Sequence, residues 1–353
     1  MKKITMQDIA DQLNLSKNSV SQALGDKNGV SQHTKTLVRE KAIELGYHYK
    51  KKASLADLSS TEYSYYALFA TEFALSQISF FGEIQHYIEK ELNKKRRELV
   101  TFSISPELVA AQKLPSNFAA KDFKGLFILS HIKQEYTSHL LHLNLPCVLI
   151  DHHDPHLNVD CVISQNKSGA YTAMEYLIKL GHRHIGFLGN INWSPSYEER
   201  WEGYSKAIRD YKLNDDKECA ITDVLEERST LFKQLDALSN KLINWPTAWL
   251  CVNSGLGFIL ISYFQSKGYR VPDDISVCCF DNTEMTLLSH PQITTMAINM
   301  AQMGKKSVEL LNWRTHHPEE PHVNLSLSTH LIERDSTSPL SVAKPREGKK
   351  QTP

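Results

Sequence analysis

Several groups of side chains in this 353-residue sequence have types and spacings suited to chemistry. The run DHHDPH at residues 151–156 places three histidines and two acids in six positions. Imidazoles and carboxylates are metal ligands, but consecutive loop positions do not easily aim several side chains at one ion. The run therefore reads as a polar loop, and no metal is expected. Six cysteines, Cys147, Cys161, Cys219, Cys251, Cys278 and Cys279, include no C-x-x-C pair, and most sit in apolar runs. Buried thiols of a reduced cytoplasmic protein are the expectation. Lys17, Asn18, Ser19 and Gln22 form a small polar face on a short helical pattern. Such side chains suit base edges in a DNA major groove, although an ordinary solvated helix face has the same composition. There is no Walker-type loop, H-E-x-x-H or G-x-S-x-G, and Gly255 and Gly257 form only an isolated glycine pair. With no visible nucleophile–base pair either, neither a cofactor nor an enzymatic reaction is expected.

These groups must be carried by folded elements, and the composition allows them. Hydrophobic residues make up 41% and charged residues 23%, a globular balance with material for two or three units. Apolar runs such as 126–129 and 147–150 fall far short of the roughly 18 residues of a membrane span. The N-terminus has an acid at Asp8 and no apolar stretch, so no signal peptide is expected. Net charge is zero, but residues 1–52 hold ten Lys/Arg against five acids, leaving this segment at +5 and the remainder at −5. A basic head that meets a polyanion, on a near-neutral body, fits that asymmetry.

The head has three helical patterns. Thr5 is placed to cap a helix reaching Leu13, with Ile9, Ala10 and Leu13 on one face. Ser16 caps a second helix, Lys17 to Leu24, that buries Val20, Ala23 and Leu24 and stops at Gly25. A third starts at Ser31 or Gln32, carries Leu37, Val38, Ala42 and Leu45 on its apolar face, and ends at Gly46. Helix, short turn, second helix and bracing third helix is the helix-turn-helix arrangement.

The stretch ITMQDIADQLNLSKNSVSQALGDKNGVSQHTKTLVREKAIELGY resembles the N-terminal domain of the lactose-repressor/galactose-repressor family of bacterial transcriptional regulators. The matching features are an early D-[IV]-A, the [VL]-S-x-x-[ST]-V-S-x-A-L over the second helix, G-V-S-x-x-T, and the closing E-L-G-Y. The resemblance implies that Lys17, Asn18 and Gln22 face bases, while Thr5, Ser16, Ser19, Ser21, Ser31 and Thr34 position the phosphate backbone. Family members usually carry Arg where this chain has Gln22. Arg prefers guanine and Gln prefers adenine, so an operator with A·T where relatives read G·C is expected. The following linker, YHYKKKASLADLSS, corresponds to a hinge whose Leu wedges into the minor groove of specific DNA. Leu55 is the candidate wedge, with Leu58 as the alternative register.

Beyond residue 63 apolar runs of strand length alternate with amphipathic stretches, which means parallel sheets covered on both faces. Two such blocks predict two doubly wound subdomains meeting near residues 160–165. The segments NKSGAYTAMEYLIKLGHRHIGFLG, ERWEGYSKAI, GYRVPDDISVCCFDN, PQITTMAINMAQMGKKSVELL and THLIERDST extend the resemblance to about residue 335. It implies a periplasmic-binding-protein-like core with crossovers near residues 164, 296 and 327, and a ligand held between the subdomains at strand C-terminal ends. Carried over by position, the cleft groups are Phe80, Phe81, Asp151, Trp193, Tyr197, Arg200, Asn253 and Asp281. Arg200 as a fork donor facing Asp281 as an acceptor can hold vicinal hydroxyls, and Trp193 and Tyr197 can stack on a pyranose face.

The expected organisation is an all-α helix-turn-helix domain at 1–48, a hinge at 49–62, and an α/β core at 63–335. Within the core, the N-subdomain takes 63–164 and 297–325, and the C-subdomain takes 165–295 and 327–335. Residues 336–353 are expected to be a disordered tail. The expected function is sequence-specific repression of carbohydrate-utilisation genes, relieved by a sugar effector. The alternatives are a corepressor-dependent regulator taking a phosphoprotein or purine, or a sugar-binding protein without DNA function. The expected partners are a double-stranded operator, a small effector and a second copy of the chain, with no membrane.

Overall fold

The computed structural model describes residues 4–25, 29–45, 47, 63–213, 219–242 and 245–340. It forms two compact units, Met1–Tyr63 and Ser64–Pro353. The linker positions Leu55 and Leu58 lie outside the described residues.

In the first unit, α1 (Met6–Leu13), α2 (Lys17–Leu24) and α3 (Gln32–Glu44) begin at side-chain caps. Thr5 and Asp8 form a reciprocal capping box on α1. The Ser16 hydroxyl accepts from the Ser19 amide at 3.0 Å, and the Ser31 hydroxyl accepts from the Thr34 amide at 3.1 Å. Each such cap stabilises its helix by about 0.5–2 kcal/mol, a sizeable share for helices this short. Ile9, Ala10, Val20, Ala23, Leu24, Val38 and Ala42 close a small common core. Leu37 departs from the expected apolar face of α3. It is 39% exposed, because Val38 and Ala42, four apart, already fill the contact with the other helices.

The second unit holds two six-stranded sheets. The first contains β1 (Ser64–Thr71), β2 (Arg97–Ile104), β3 (Phe123–Leu129), β4 (Cys147–Ile150), β5 (Asp160–Ser164) and β11 (Asn324–Leu327). Its order is β11-β5-β4-β3-β1-β2, and every pairing is parallel. The second contains β6 (Ile185–Leu188), β7 (Ala220–Ile221), β8 (Ala248–Cys251), β9 (Ser276–Asp281), β10 (Thr294–Ala297) and β12 (His330–Ile332). Its order is β12-β10-β9-β8-β6-β7, with only β10–β12 antiparallel. Helices cover both faces, so the central strands are buried runs rather than alternating ones. All six cysteines are buried, and none is in a disulfide.

The chain passes between the sheets three times: from β5 into the helix Asn166–Lys179, from β10 into the helix Met300–His316, and from β11 into β12. Two glycines permit the closest helix packing. A Cβ on Gly203 would lie 2.2 Å from the Lys167 carbonyl, and one on Gly304 would lie 2.7 Å from the Ile84 carbonyl. These contacts seat the helix Pro195–Asp210 on Asn166–Lys179, and Met300–His316 on Glu83–Asn93.

The expected disordered tail needs correction at its start. Residues 336–340 are part of the second subdomain. Ser336 donates to the Val277 carbonyl at 2.6 Å, the Leu340 amide donates to the Leu180 carbonyl at 2.8 Å, and His182 contacts the Ser338 carbonyl at 3.1 Å. A polar composition suggested solvation, but these groups are satisfied inside the fold. Residues 341–353 lie outside the described residues. No helix among the described residues is long and apolar enough to cross a membrane.

Candidate functional site

Strand order reverses between β1 and β3 in the first sheet and between β6 and β8 in the second. At such switch points the loops after the strands separate and leave a crevice. Here the two crevices face each other across a cleft of about 350 Å³. All eight positions singled out for a ligand, Phe80, Phe81, Asp151, Trp193, Tyr197, Arg200, Asn253 and Asp281, line it.

The second subdomain supplies a bonded polar wall. Arg200, 2% exposed, is fixed on every side. Its Nε donates to Asn166 Oδ1 at 3.0 Å, its Nη1 donates to the Val252 carbonyl, and its guanidinium lies 4.3 Å from the centre of the Phe280 ring. Nη1 is also 3.1 Å from Asp281 Oδ1. Glu198 and Glu202 are therefore not its partners, and Glu202 pairs instead with Lys167. Asp281 is 8% exposed and ends β9 with φ 85°, followed by Asn282 at φ 61°. Non-glycine residues avoid this region. Arg334 braces the turn by donating to Asn282 Oδ1 at 2.6 Å, Thr286 Oγ1 at 3.1 Å and the Ile293 carbonyl at 2.8 Å. Burial raises the Asp281 carboxyl, Arg200 pulls it back, and Glu226 pushes it further up.

Asn253 caps the helix Ser254–Ser266, accepting from the Leu256 amide at 2.8 Å. Its Nδ2 is then free to donate to Tyr197 Oη at 2.6 Å and to Glu226 Oε1 at 2.8 Å. Tyr197 Oη donates to the same Glu226 oxygen at 2.8 Å. Burial, with Glu226 next, holds the Tyr197 phenol well above its usual range.

The first subdomain supplies an aromatic wall. Phe80 and Phe81 lie in a wide turn, Ile78–Gly82, after β1, and their rings meet edge to face with centroids 4.9 Å apart. Asp151 follows β4 with φ 56° and caps no helix. Its Oδ1 accepts no hydrogen bond among the described residues. Burial pushes this carboxyl up to about 7, Arg200 opposes the shift, and Asp281 and Glu199 add to it. His131, held below its usual range by burial, also faces the cleft.

Three contacts join the walls. Phe73 meets Trp193 edge-on at 5.2 Å, His153 Nε2 is 2.7 Å from Glu199 Oε1, and Ser196 Oγ donates to the Asp151 carbonyl at 3.4 Å. Within the DHHDPH run, then, His153 bridges the subdomains and His152 is buried at 3% exposed. Among the described residues no group of three or more His, Cys, Asp or Glu side chains is placed to hold a metal.

On the first unit, Lys17, Asn18 and Ser21 of α2 are exposed, and Ser19 and Gln22 are half-buried. Thr5, Ser16 and Ser31, expected against phosphates, hold their hydroxyls on helix N-termini, and Ser19 and Thr34 bond to two of those caps. Sequence reasoning missed Glu226, Phe73, His131 and Phe258 as cleft residues. Glu226 and His131 lie in irregular segments without a periodic pattern, so no signal pointed to them.

A helix-turn-helix unit precedes a core of two doubly wound sheets whose crevices close on one cleft, a periplasmic-binding-protein-like arrangement. A family model described as a periplasmic binding protein-like domain matches residues 174–337. The transcriptional repressor PurR of Aliivibrio fischeri (strain MJ11) is 27% identical over 334 residues, covering 94% of this chain and 98% of that protein. The ribose operon repressor of Haemophilus influenzae is 25% identical, over 94% and 98%. Among solved structures, the regulator CelR in complex with cellobiose superimposes with a TM-score of 0.69 at 20% identity, covering 94% of this chain and 99% of that one. The Lac repressor dimer bound to operator and the anti-inducer ONPF gives 0.69 at 22%, over 96% and 100%. The relatives that match over almost the whole chain are transcriptional repressors, and the chain shares the fold of the Lac repressor.

Proposed function

We propose that this chain is a dimeric, cytoplasmic, sequence-specific repressor whose cleft takes a neutral or weakly charged polyol of sugar size. The observation that carries the ligand half is the fixed Arg200–Asp281 pair at the meeting of two strand-end crevices. A guanidinium and a carboxylate side by side present donors and an acceptor to neighbouring hydroxyls. Trp193, 44% exposed beside Phe73, offers an aromatic face to a sugar ring. The DNA half rests on the polar face of α2, exposed at Lys17 and Asn18 and half-buried at Gln22, with these three reading bases. Ligand closing the cleft would change operator affinity, and a coupling of about 1–3 kcal/mol suffices for a several-fold to hundred-fold change.

Fluorescence anisotropy on labelled DNA from upstream of the gene, with salt and then a panel of sugars, tests this reading. Tight, salt-sensitive, selective binding weakened by one sugar is expected, and its absence under every condition would overturn the reading. Gln22→Arg should move preference at one operator position from A·T to G·C by about 1–3 kcal/mol. An unchanged preference would remove Gln22 from the base contacts. A flat heterocycle acting as corepressor is the second reading, favoured by the paired Phe73 and Trp193 rings. It requires ligand to tighten, not loosen, DNA binding.

A further inference from the structure

Charge in the cleft is unbalanced. Asp151, Glu226 and Asp281 line it, and among the described residues Arg200 is the only Lys or Arg that does so. That guanidinium is already spent on Asp281, Asn166 and the Val252 carbonyl. Glu226 receives only neutral donors, Tyr197 and Asn253, in the hydrogen bonds described, and these do not cancel its charge. A second observation points the same way from the apolar side. Trp193 and Phe258 stand in the cleft 44% and 38% exposed, offering ring faces whose quadrupoles attract cations. Asp281 itself is nine-tenths buried with its Oδ1 already paired to Arg200 Nη1, whereas Asp151 Oδ1 accepts no hydrogen bond among the described residues.

Taking the polyol reading of the cleft as given, we infer that the effector carries a protonated amine, as an amino sugar does, with the ammonium set against Asp151 and Glu226 and the hydroxyls against Arg200 and Asp281. An ammonium supplies three donors and no acceptor, which matches a cleft whose atom without a donor, Asp151 Oδ1, is a carboxylate oxygen. It also halves the excess negative charge of the cleft, from two to one, when closure excludes water. A phosphorylated sugar, by the same argument, is repelled. Because burial raises the Asp151 carboxyl to about 7, ammonium binding should expel a proton from it, so affinity should rise from pH 6 until the sugar's own amine begins to lose its proton, and fall beyond that.

The test is calorimetric titration of the full-length protein with glucosamine and with its β-1,4-linked dimer, each against its N-acetylated and its neutral parent sugar. The amine should bind at least about tenfold tighter than either counterpart, the gain expected of one charge-assisted hydrogen bond. That preference should shrink in Asp151→Asn and in Glu226→Gln, both nearly isosteric, with thermal unfolding run alongside to show that each variant is folded. A neutral or N-acetylated sugar bound as tightly as the amine overturns the inference and leaves the polyol reading standing. If no polyol binds, charged or neutral, both fall.

Discussion

The two walls of the cleft are built on different physical terms. On the second subdomain, each polar group named has a partner: Arg200 is held by Asn166, Val252 and Asp281, and Asn253 and Tyr197 converge on Glu226. On the first subdomain, Phe80 and Phe81 pack on each other, while Asp151 projects an oxygen that no described residue satisfies. The bonded wall is preorganised before ligand arrives, and the aromatic wall keeps one costly group in reserve. On the proposed reading of the cleft, the bonded wall would fix ligand orientation, and the orphan carboxylate would be the group that gains most when a donor enters.

The largest effect should follow from breaking the bonded wall. Arg200→Ala strands the Asp281 carboxylate in a buried site, and removing one partner of a buried pair costs about 3–5 kcal/mol. Denaturant unfolding of the full chain should show that loss, and ligand should no longer release DNA. Arg200→Ala with wild-type stability and release would mean that the wall is not held as described.

The opposite wall should respond with the opposite sign. A carboxylate whose folded value is raised becomes a stability penalty as pH climbs from its unfolded value toward about 7. The wild-type protein should therefore lose stability over that range, and Asp151→Asn should lose less, ending more stable than wild type near pH 8 while binding ligand more weakly. That trade of stability against function is common at binding sites. Equal pH profiles for the two proteins would show that Asp151 is not the strained member of the site. Next in size are the rings at the rim. Phe73→Ala or Trp193→Ala removes an aromatic pair worth about 0.5–1.5 kcal/mol, so ligand affinity should drop by a few-fold. Their double variant should show less than the sum of the two, since each single change already breaks the pair.

The contrast between the walls also explains what was readable in advance. Strand-length apolar runs such as 126–129 and 147–150 advertise buried parallel strands, and residues just past them, Asp151 and Asp281, stand at the strand-end crevice for that topological reason. The head was legible because caps and periodicity coincide at Thr5, Ser16 and Ser31. Glu226 was not, because an exposed acid in an irregular segment looks like any solvated charge until Tyr197 and Asn253 are seen to converge on it. Residues 336–340 were misjudged because polarity marks them for water, whereas Ser336, Thr337 and Ser338 complete hydrogen bonds that β9, β10 and nearby loops leave open. Both failures concern pairings distant in sequence, which local pattern does not encode.

The smallest effect sits where the walls touch. His153, on the first subdomain, is raised above 6.5 chiefly by its hydrogen bond to Glu199, with Asp154 and Glu198 also raising it against the effect of burial. Burial pushes Glu199 up, but the hydrogen bonds from His153 and Asn166 outweigh that and leave it below 4.5. The raised histidine contributes stability that is fully present below about pH 6.5 and lost as pH rises through its folded value. The lowered glutamate contributes stability that is present above about pH 4.5 and lost as pH falls. The bridge is therefore at full strength between those limits and weakens toward pH 8. A half-exposed pair of this kind is worth about 0.2–1 kcal/mol. His153→Gln should flatten only that share of the pH dependence of thermal unfolding, leaving the share that Asp151→Asn removes. If the two substitutions instead remove the same share, the bridge and the orphan carboxylate form one coupled system, and the two walls titrate together.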